Sequence, residues 1–329
     1  SPQGTPASRR DDAEPPVRLP AWLLVYALSG FVALSLEIVW FRVLGSVLRS
    51  TSLTFPTLLS LYIAGLGLGA LVARRPARRA RRPGAVFFAL QLAVPVWAVL
   101  SLVAFVALLE RGLAPALLVE HLAGGEPLAL AESVRAAARF VLRAGDVAPW
   151  TRDAALRLLV VHVLVPLAFV LVPTLLMGAS FPFLQARVQT DLRGLGRRVG
   201  WLQAANIAGS TLGAGLTGVL LLGWLGTPGT LRLLAGTSFV FLLLLLRATG
   251  APRAARLILP PAVAALLAAA VPSGAALWGR IAGSEPARIR HAEDGSGVSV
   301  MKPVEEDGRT THHLLVGGLN LHLIQLSSN

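Results

Sequence analysis

Seven long apolar stretches run through this chain and restrict what it can fold into. A helix needs about 20 mainly apolar residues to cross the hydrocarbon core of a bilayer. The composition agrees, because 54% of the 329 residues are hydrophobic and 14% are charged, whereas soluble domains carry roughly 25% charge. We therefore predict an all-α polytopic membrane protein with about seven transmembrane helices. The predicted spans cover residues 21–48, 53–73, 85–109, 154–183, 201–222, 230–246 and 257–277.

Prolines interrupt two of these spans. The fourth contains Pro166, Pro173 and Pro182, so we expect kinks whose freed backbone groups are satisfied by neighbouring helices. The seventh is interrupted early by Pro260 and Pro261. If that segment is re-entrant or interfacial, the number of spans falls to six and the C-terminal tail changes side.

Arginine placement predicts the orientation of the spans. Short cytoplasmic loops are enriched in Lys and Arg, and 30 Lys and Arg face 17 Asp and Glu in this chain. Basic residues cluster in the N-terminal tail and after the second, fourth and sixth spans, which places the N-terminus in the cytoplasm. They are Arg9, Arg10 and Arg18; Arg74, Arg75, Arg78, Arg79, Arg81 and Arg82; Arg187, Arg193, Arg197 and Arg198; and Arg247, Arg253 and Arg256.

The segments outside the spans have three different characters. Residues 1–20, rich in Pro, Ser and charge, are predicted to be a disordered tail. The insert 111–152 contains an amphipathic pattern around 128–143, which predicts a helix lying on the external membrane surface. Residues 280–329 begin a β-rich soluble domain, in which alternation around the turn Glu306-Asp307-Gly308 predicts a short β-hairpin. Because an isolated hairpin is marginal in water, its partner strands come from another chain, from further sequence or from packing on the membrane domain.

Two residues of the first span are candidate binding residues. Glu37 lies well inside the span, and an intramembrane carboxylate is costly unless it faces a polar interior, pairs or titrates. It is either a site for a cationic substrate or proton, or a helix-packing carboxylate. Arg42, five residues further on, is too far round the helix for a good intrahelical pair and is expected to snorkel outward.

Three further polar side chains in the spans have both functional and structural interpretations. His162 is either a proton-relay member or a bonded structural histidine, and Gln203 and Asn206 either line a cavity or form interhelical hydrogen bonds. We prefer the structural interpretation for the last two, because the same span offers Gly209-x-x-x-Gly213 for close helix packing, as Gly65-x-x-x-Gly69 does in the second span.

Several kinds of chemistry have no support in the sequence. The chain has no cysteine, which excludes thiol catalysis and Cys-based metal sites. His312 and His313 are adjacent in a predicted strand, so their side chains point to opposite faces and do not share one metal. The sequence has no Walker motif, and no G-x-G-x-x-G motif follows a predicted strand. We predict no catalytic residue, no metal, no cofactor and no nucleic-acid partner for this chain.

Four segments together resemble the membrane portion of bacterial fused major-facilitator/spermidine-synthase proteins. They are LSGFVALSLEIVWFRVLG, FPTLLSLYIAGLGLGALVARR, PTLLMGASFPFL and LGRRVGWLQAANIAGSTLGAGLTGVLLLGWLGTPGT. The tail EDGSGVSVMKPVEEDGRTTHHLLVGG is similar to the β-strand segment that precedes the Rossmann-like domain of polyamine aminopropyltransferases. GALVARRPARR resembles the basic loop motif of major-facilitator transporters but lacks its usual acidic residue.

The resemblance implies a multi-pass protein of the bacterial inner membrane that serves as a membrane anchor and polyamine-handling module, with the bilayer and polyamine as partners. The donor-binding glycine motif and acidic polyamine-binding residues of that family have no counterpart in this chain, so aminopropyl transfer by this chain alone is not supported. A small-molecule transporter and a noncatalytic assembly subunit are the alternatives. Seven spans place the tail outside the cytoplasm, which conflicts with an enzyme that uses a cytoplasmic aminopropyl donor.

Overall fold

The fold is mostly helical and ends in a small antiparallel sheet. The computed structural model describes residues 18–49, 51–124, 130–143, 148–188, 195–306 and 309–324. Residues 1–17, most of the predicted disordered tail, lie outside the described residues. The α-helices are α1 (Leu19–Leu48), α2 (Thr51–Arg79), α3 (Pro83–Glu110), α4 (Ala116–Gly124), α5 (Leu130–Leu142), α6 (Pro149–Arg157), α7 (Val172–Val188), α8 (Leu195–Leu216), α9 (Leu222–Gly236), α10 (Ser238–Ala248), α11 (Arg253–Ala270) and α12 (Gly274–Ile281).

Six helical stretches in the described part of the chain are long and apolar enough to cross a membrane. They are Leu19–Leu48, Thr54–Arg79, Pro83–Glu110, Pro149–Val188, Gly196–Ala248 and Arg253–Ala270. The expectation of a mostly helical chain built from segments of membrane-spanning length is confirmed at this level.

The stretch Gly196–Ala248 turns back on itself. Its 53 residues would measure about 80 Å as one straight helix, but Gly226 breaks the helix with φ 63° and ψ −178°. Leu202, before the break, and Phe241, after it, lie in the same aromatic cluster with Trp22. The stretch is therefore two helical segments, and counting it as two gives seven apolar segments among the described residues.

Each end of the helix bundle has its own character. The aromatic cluster gathers Trp22 and Phe87 near the starts of α1 and α3 with Ala77 and Leu184 near the ends of α2 and α7. Since the basic segments adjoin these residues, we call this the arginine end. At the opposite end, Leu48, Leu122 and Val300 share one core, and because Val300 belongs to the sheet we call it the sheet end.

Glycines allow two pairs of parallel helices to pack backbone against backbone. A Cβ on Gly209 or Gly213 of α8 would collide with the α1 backbone at Ala27 or Phe31. In the second pair, Gly65 of α2 abuts Thr174, and Gly69 abuts the backbone of Leu175. The predicted packing role of both Gly-x-x-x-Gly motifs is confirmed.

The two pairs are built alike and run in opposite directions. Residues 63–70 of α2 read IAGLGLGA and residues 207–214 of α8 read IAGSTLGA. Their partners are also equivalent, because Gly30 of α1 packs on Ser210, Gly178 of α7 packs on Leu66, and Ser210 and Leu66 align in these two segments. Glu37 lies seven residues after Gly30, and Gln185 lies seven residues after Gly178. The two helix pairs therefore share their packing geometry, but α1 has a carboxylate where α7 has a neutral amide.

The proline-rich fourth segment widens into π-helical turns, Leu158–Leu164 and Leu167–Leu171, on either side of Pro166. Proline lacks an N–H and crowds the preceding turn, and a π-turn accommodates both effects. The indole Nε1 of Trp97 donates to the carbonyl of Ala168 at 2.8 Å. A neighbouring helix thus satisfies a backbone group in the widened region, as expected from the sequence.

Several predicted boundaries are wrong. α2 continues to Arg79, so Arg74, Arg75, Arg78 and Arg79 extend a helix instead of forming a loop. The predicted span 257–277 is divided between α11 and α12, because Val271 and Ser273 have extended backbone around Pro272. The insert contains α4 as well as the predicted helix, which is observed as α5.

The C-terminal region forms a four-stranded sheet instead of the predicted hairpin alone. Its strands are β1 (Arg290–Glu293), β2 (Val298–Glu306), β3 (Arg309–Val316) and β4 (Leu319–Ile324), in sequence order and antiparallel. The β2–β3 pair is the predicted hairpin, with Glu306 opposite Arg309; the tip, residues 307–308, lies outside the described residues. The sheet packs on the bundle, where Gly318 closely approaches the backbone of Ser46.

Candidate functional site

Glu37 is half-buried in the middle of α1. One turn further on, Phe41 stacks on Phe55 of α2 with ring centroids 5.5 Å apart, so this face of α1 looks towards α2. Tyr62, also on α2, is close enough to interact electrostatically with the Glu37 carboxylate. Among the described residues no hydrogen bond or ion pair to Glu37 is formed. A carboxylate in this position can accept a cation or a proton.

Arg42 does not snorkel outward as predicted. Its side chain is 8% exposed, its Nη2 donates to the carbonyl of Gly295 at 3.0 Å, and its Nη1 lies 4.0 Å from Oε2 of Glu293. The guanidinium therefore joins the end of α1 to the β1–β2 loop. The sheet offers it a carboxylate and a carbonyl, and these replace water as partners.

Glu293 is the centre of this cluster, and sequence reasoning missed it. Its side chain is 8% exposed. Oε2 accepts from the backbone N–H of Thr227 at 2.6 Å, and Oε1 accepts from Nε1 of Trp278 at 2.5 Å. Thr227 follows the break at Gly226, where a new helical segment begins and backbone N–H groups lack helical partners. The carboxylate caps that helix start and complements its dipole.

The loop beside Glu293 is held by its own hydrogen bonds. Asp294 Oδ1 accepts from Ser296 Oγ at 2.6 Å, from Ser296 N at 2.8 Å and from Gly297 N at 3.0 Å. These hydrogen bonds lower the pKa of the Asp294 carboxyl. The bond from the Ser296 hydroxyl has the largest effect, and the two backbone N–H bonds follow. The loop therefore stays ordered around an ionised Asp294 and presents the Gly295 carbonyl to Arg42.

Two cations bind the C-terminal end of α4. Arg49, which has a left-handed backbone with φ 51°, donates to the carbonyls of His121 at 2.5 Å and Leu122 at 2.6 Å. Lys302 of β2 donates to Ala123 O at 2.9 Å and to Ala282 O at 2.8 Å. Terminal helix carbonyls attract cations. Burial, followed by the charge of Arg49, lowers the pKa of Lys302 to about 8.

His121 and His162 are both buried at the sheet end. Nε2 of His121 lies 2.9 Å from the carbonyl of Val47; burial is the main cause that lowers the pKa of His121 to about 4, so the ring is neutral and donates there. His162 lies in the first π-helical turn, and its two ring nitrogens have no hydrogen-bond partner among the described residues. The hypothesis that His162 is a hydrogen-bonded structural residue is therefore not supported.

The other two predicted residues occupy different environments. Asn206 Nδ2 donates to the carbonyl of Tyr26 at 3.2 Å, which is the interhelical bond preferred from the sequence. Gln203 is exposed. The predicted residues therefore do not form one site: Glu37 and Arg42 lie on α1 but contact different partners, and His162 lies at the sheet end. No group of three His, Asp or Glu side chains with metal-binding proximity occurs within the described ranges.

Only weak sequence signals pointed to the residues that were missed. Lys302 is the one lysine of the chain, which marks it as unusual. Glu293 is one of several acids in the tail, and nothing local distinguishes it. Its partners Arg42 and Thr227 are distant in sequence, so only folding reveals the cluster.

Comparison with protein-family models, with curated proteins and with solved structures gives no match.

Proposed function

We propose that this chain is an integral membrane domain that carries a β-sheet module rigidly at one membrane surface, in a spermidine-synthase-like fusion architecture. Seven apolar segments of alternating direction support membrane insertion. The packing of β2 and β3 on the helix ends supports a fixed orientation of the sheet. The resemblance of the tail to aminopropyltransferases supports the identity of the module.

The arginine end faces the cytoplasm in this proposal, because positive loops are retained there. The sheet end then lies on the outer surface. An aminopropyl donor made in the cytoplasm would not reach it directly. The arrangement therefore favours the role of anchor and scaffold over that of an enzyme for a cytoplasmic donor.

The observation that carries the proposal is the contact set of Glu293. A single buried carboxylate on β1 bonds to the start of a helical segment at Thr227 and to Trp278 of α12, and lies beside Arg42 at the end of α1. A tethered, independently moving domain would not need such a contact. Removing one partner of a buried charged pair leaves the other charge uncompensated and costs about 3–5 kcal/mol, so we expect substitution of Glu293 to loosen the sheet.

Pulsed electron paramagnetic resonance tests the rigid scaffold. The chain has no cysteine, so nitroxide labels introduced at Val219 and Glu305, both exposed, report the position of the sheet relative to the π-helical turn Thr217–Leu221 that follows α8. We expect a narrow distance distribution in the parent protein and a broad one in Glu293→Ala, with Glu293→Gln between them. Glu285→Ala removes an exposed acid of the same region and serves as the control. A broad distribution in the parent protein contradicts the scaffold role.

The identity of the module has its own test, which is to read the gene beyond the codon for Asn329. A glycine-rich donor-binding motif and acidic polyamine-binding residues would support the synthase-like module. A stop codon at that point would contradict it, while leaving the rigid scaffold to the distance measurement.

A second candidate function, handling of a small cation within the bilayer, is favoured by Glu37. The equivalent position of the other glycine-packed pair is Gln185, so this packing geometry is built without a carboxylate. The charge at Glu37 is therefore not required for packing and is available for a polyamine cation or a proton. The Glu37 variants described in the Discussion test this candidate.

A further inference from the structure

A cavity of about 460 Å³ lies at the arginine end, on the side of the molecule remote from the sheet. It opens between the starts of α1 and α3 and the ends of α7 and α10. We call it the arginine pocket, after the three guanidinium-bearing residues that line it. Its defining residues are Arg18, Arg187, Arg247, Trp22, Phe88 and Leu244.

We propose that the arginine pocket binds the headgroup of an anionic phospholipid. Three arginines line the pocket and no acidic residue does so within the described part of the chain. Guanidinium groups bind phosphate oxygens through paired hydrogen bonds. Basic pockets between membrane helices on the cytoplasmic side are suited to phosphate headgroups of lipids.

The wall of the pocket favours a lipid over a free phosphate ion. Trp22 stacks on Phe88 with ring centroids 5.1 Å apart and an interplanar angle of 10°, and Leu244 adds aliphatic surface. A phosphate ion has no apolar surface to bury against this wall, whereas the glycerol backbone and first acyl carbons of a phospholipid do.

One arginine is positioned by the same wall. The Cζ atom of Arg187 lies 5.9 Å from the centroid of the Trp22 ring, within the range of a cation–π interaction. Because Trp22 is itself buried and stacked, the guanidinium is held near the pocket. Arg18 precedes α1 and Arg247 lies in the last turn of α10, so the charges approach the pocket from separate elements and surround a ligand.

Native mass spectrometry of the full chain in detergent tests the proposal, with phosphatidylglycerol, phosphatidylcholine and inorganic phosphate as probes. We expect the parent protein to retain phosphatidylglycerol in preference to phosphatidylcholine. The triple variant Arg18→Gln, Arg187→Gln, Arg247→Gln should lower the affinity for phosphatidylglycerol by at least roughly tenfold. The triple variant Arg75→Gln, Arg79→Gln, Arg253→Gln removes the same charge from exposed positions at the same end and should change the affinity by less than about twofold.

Three results would overturn the proposal. An equal loss of phosphatidylglycerol affinity in both triple variants would mean that the lipid is attracted by the general positive charge of the arginine end and not by the pocket. Displacement of the lipid by millimolar inorganic phosphate would mean a site for the free ion. A gain in lipid affinity when Asp11, Asp12 and Glu14 are neutralised would mean that the acidic N-terminal segment is the occupant. If the pocket variant does not fold, Arg247→Gln alone, at an exposed helix end, should still lower the affinity severalfold.

Discussion

At the scale of single residues, Glu37 offers the sharpest test of cation handling. Glu37→Gln keeps the size and hydrogen-bonding capacity of the side chain and removes the charge. We expect the variant to remain folded and inserted in the membrane while the affinity for spermidine falls about tenfold, since a hydrogen bond to a charged group contributes roughly 1.5–3 kcal/mol. Glu37→Leu should also loosen helix packing. Calorimetric titration with spermidine and thermal unfolding measure the two effects.

The control for Glu37 is Glu305→Gln, which neutralises an exposed acid on the sheet. Spermidine affinity should be unchanged in this variant. If Glu37→Gln binds spermidine as the parent does and only Glu37→Leu loses stability, Glu37 is a packing residue and the cation-handling candidate fails.

His121 predicts a loss of stability on acidification. Its pKa is about 4 in the folded chain and about 6.5 in an unfolded one. Between pH 6.5 and pH 4, His121 is mostly protonated in the unfolded chain and mostly neutral in the folded chain. The free energy of unfolding therefore falls as the pH decreases through this range. The full contribution is about 3 kcal/mol. The charges of Arg49 and Arg157 and the neighbouring His162 add to the effect of burial.

Thermal unfolding of the parent and of His121→Gln between pH 7 and pH 4 isolates this contribution. The substituted glutamine side chain retains an N–H donor for the Val47 carbonyl but does not titrate. We expect the variant to lose less stability than the parent over this range, because every other titrating group is common to both proteins. Parallel pH profiles would refute the assignment.

At the scale of the helix, the glycine-packed pairs predict unequal effects of similar substitutions. A Cβ at position 213 would meet the backbone of Phe31, whereas at Gly215, on the same helix, nothing lies within 4 Å. We expect Gly213→Ala to destabilise the protein by about 1–3 kcal/mol through overpacking, and Gly215→Ala to be neutral or slightly stabilising. Thermal unfolding in detergent measures both, and equal stabilities would argue against close α1–α8 packing.

The predicted location of α5 on the membrane surface has a test of its own. Exposed apolar residues such as Val134 and Val141 are consistent with a helix that rests on the membrane. Single cysteines at Arg135 and Arg139, both exposed, should react with an impermeant maleimide added outside whole cells. A cysteine at Arg75, at the arginine end, should be protected until the cells are opened. Protection of positions 135 and 139 would place α5 on the other side.

At the scale of the whole molecule, the direction of the seven segments predicts opposite sides for the two ends of the chain. A green fluorescent protein inserted after Ala80 should fluoresce in the cytoplasm, whereas the same reporter fused after Asn329 should not. An alkaline phosphatase fusion at Asn329 should be active. Cytoplasmic fluorescence from both positions would reject seven spans and place the sheet next to the arginine end.

Local sequence patterns were enough to predict a mostly helical chain with apolar segments of membrane-spanning length, because a long apolar run is a local property that no distant contact can hide. They also predicted the β2–β3 hairpin and the packing role of Gly65, Gly69, Gly209 and Gly213. Local signals placed the segment ends less well, since arginines after 73 continue α2 as good helix formers.

The pairing of the helices and the meeting points of distant polar side chains could be read only from the folded chain. Asn206 could line a cavity or bond to α1 until α8 was placed beside Tyr26. Arg42 and Glu293 are 251 residues apart in the chain, and the short strand β1 carries no strong pattern of its own. A contact of this kind depends on the free energy of the assembled sheet and bundle, in which burial excludes water and makes a carboxylate, a guanidinium and a free helix N–H partners for one another.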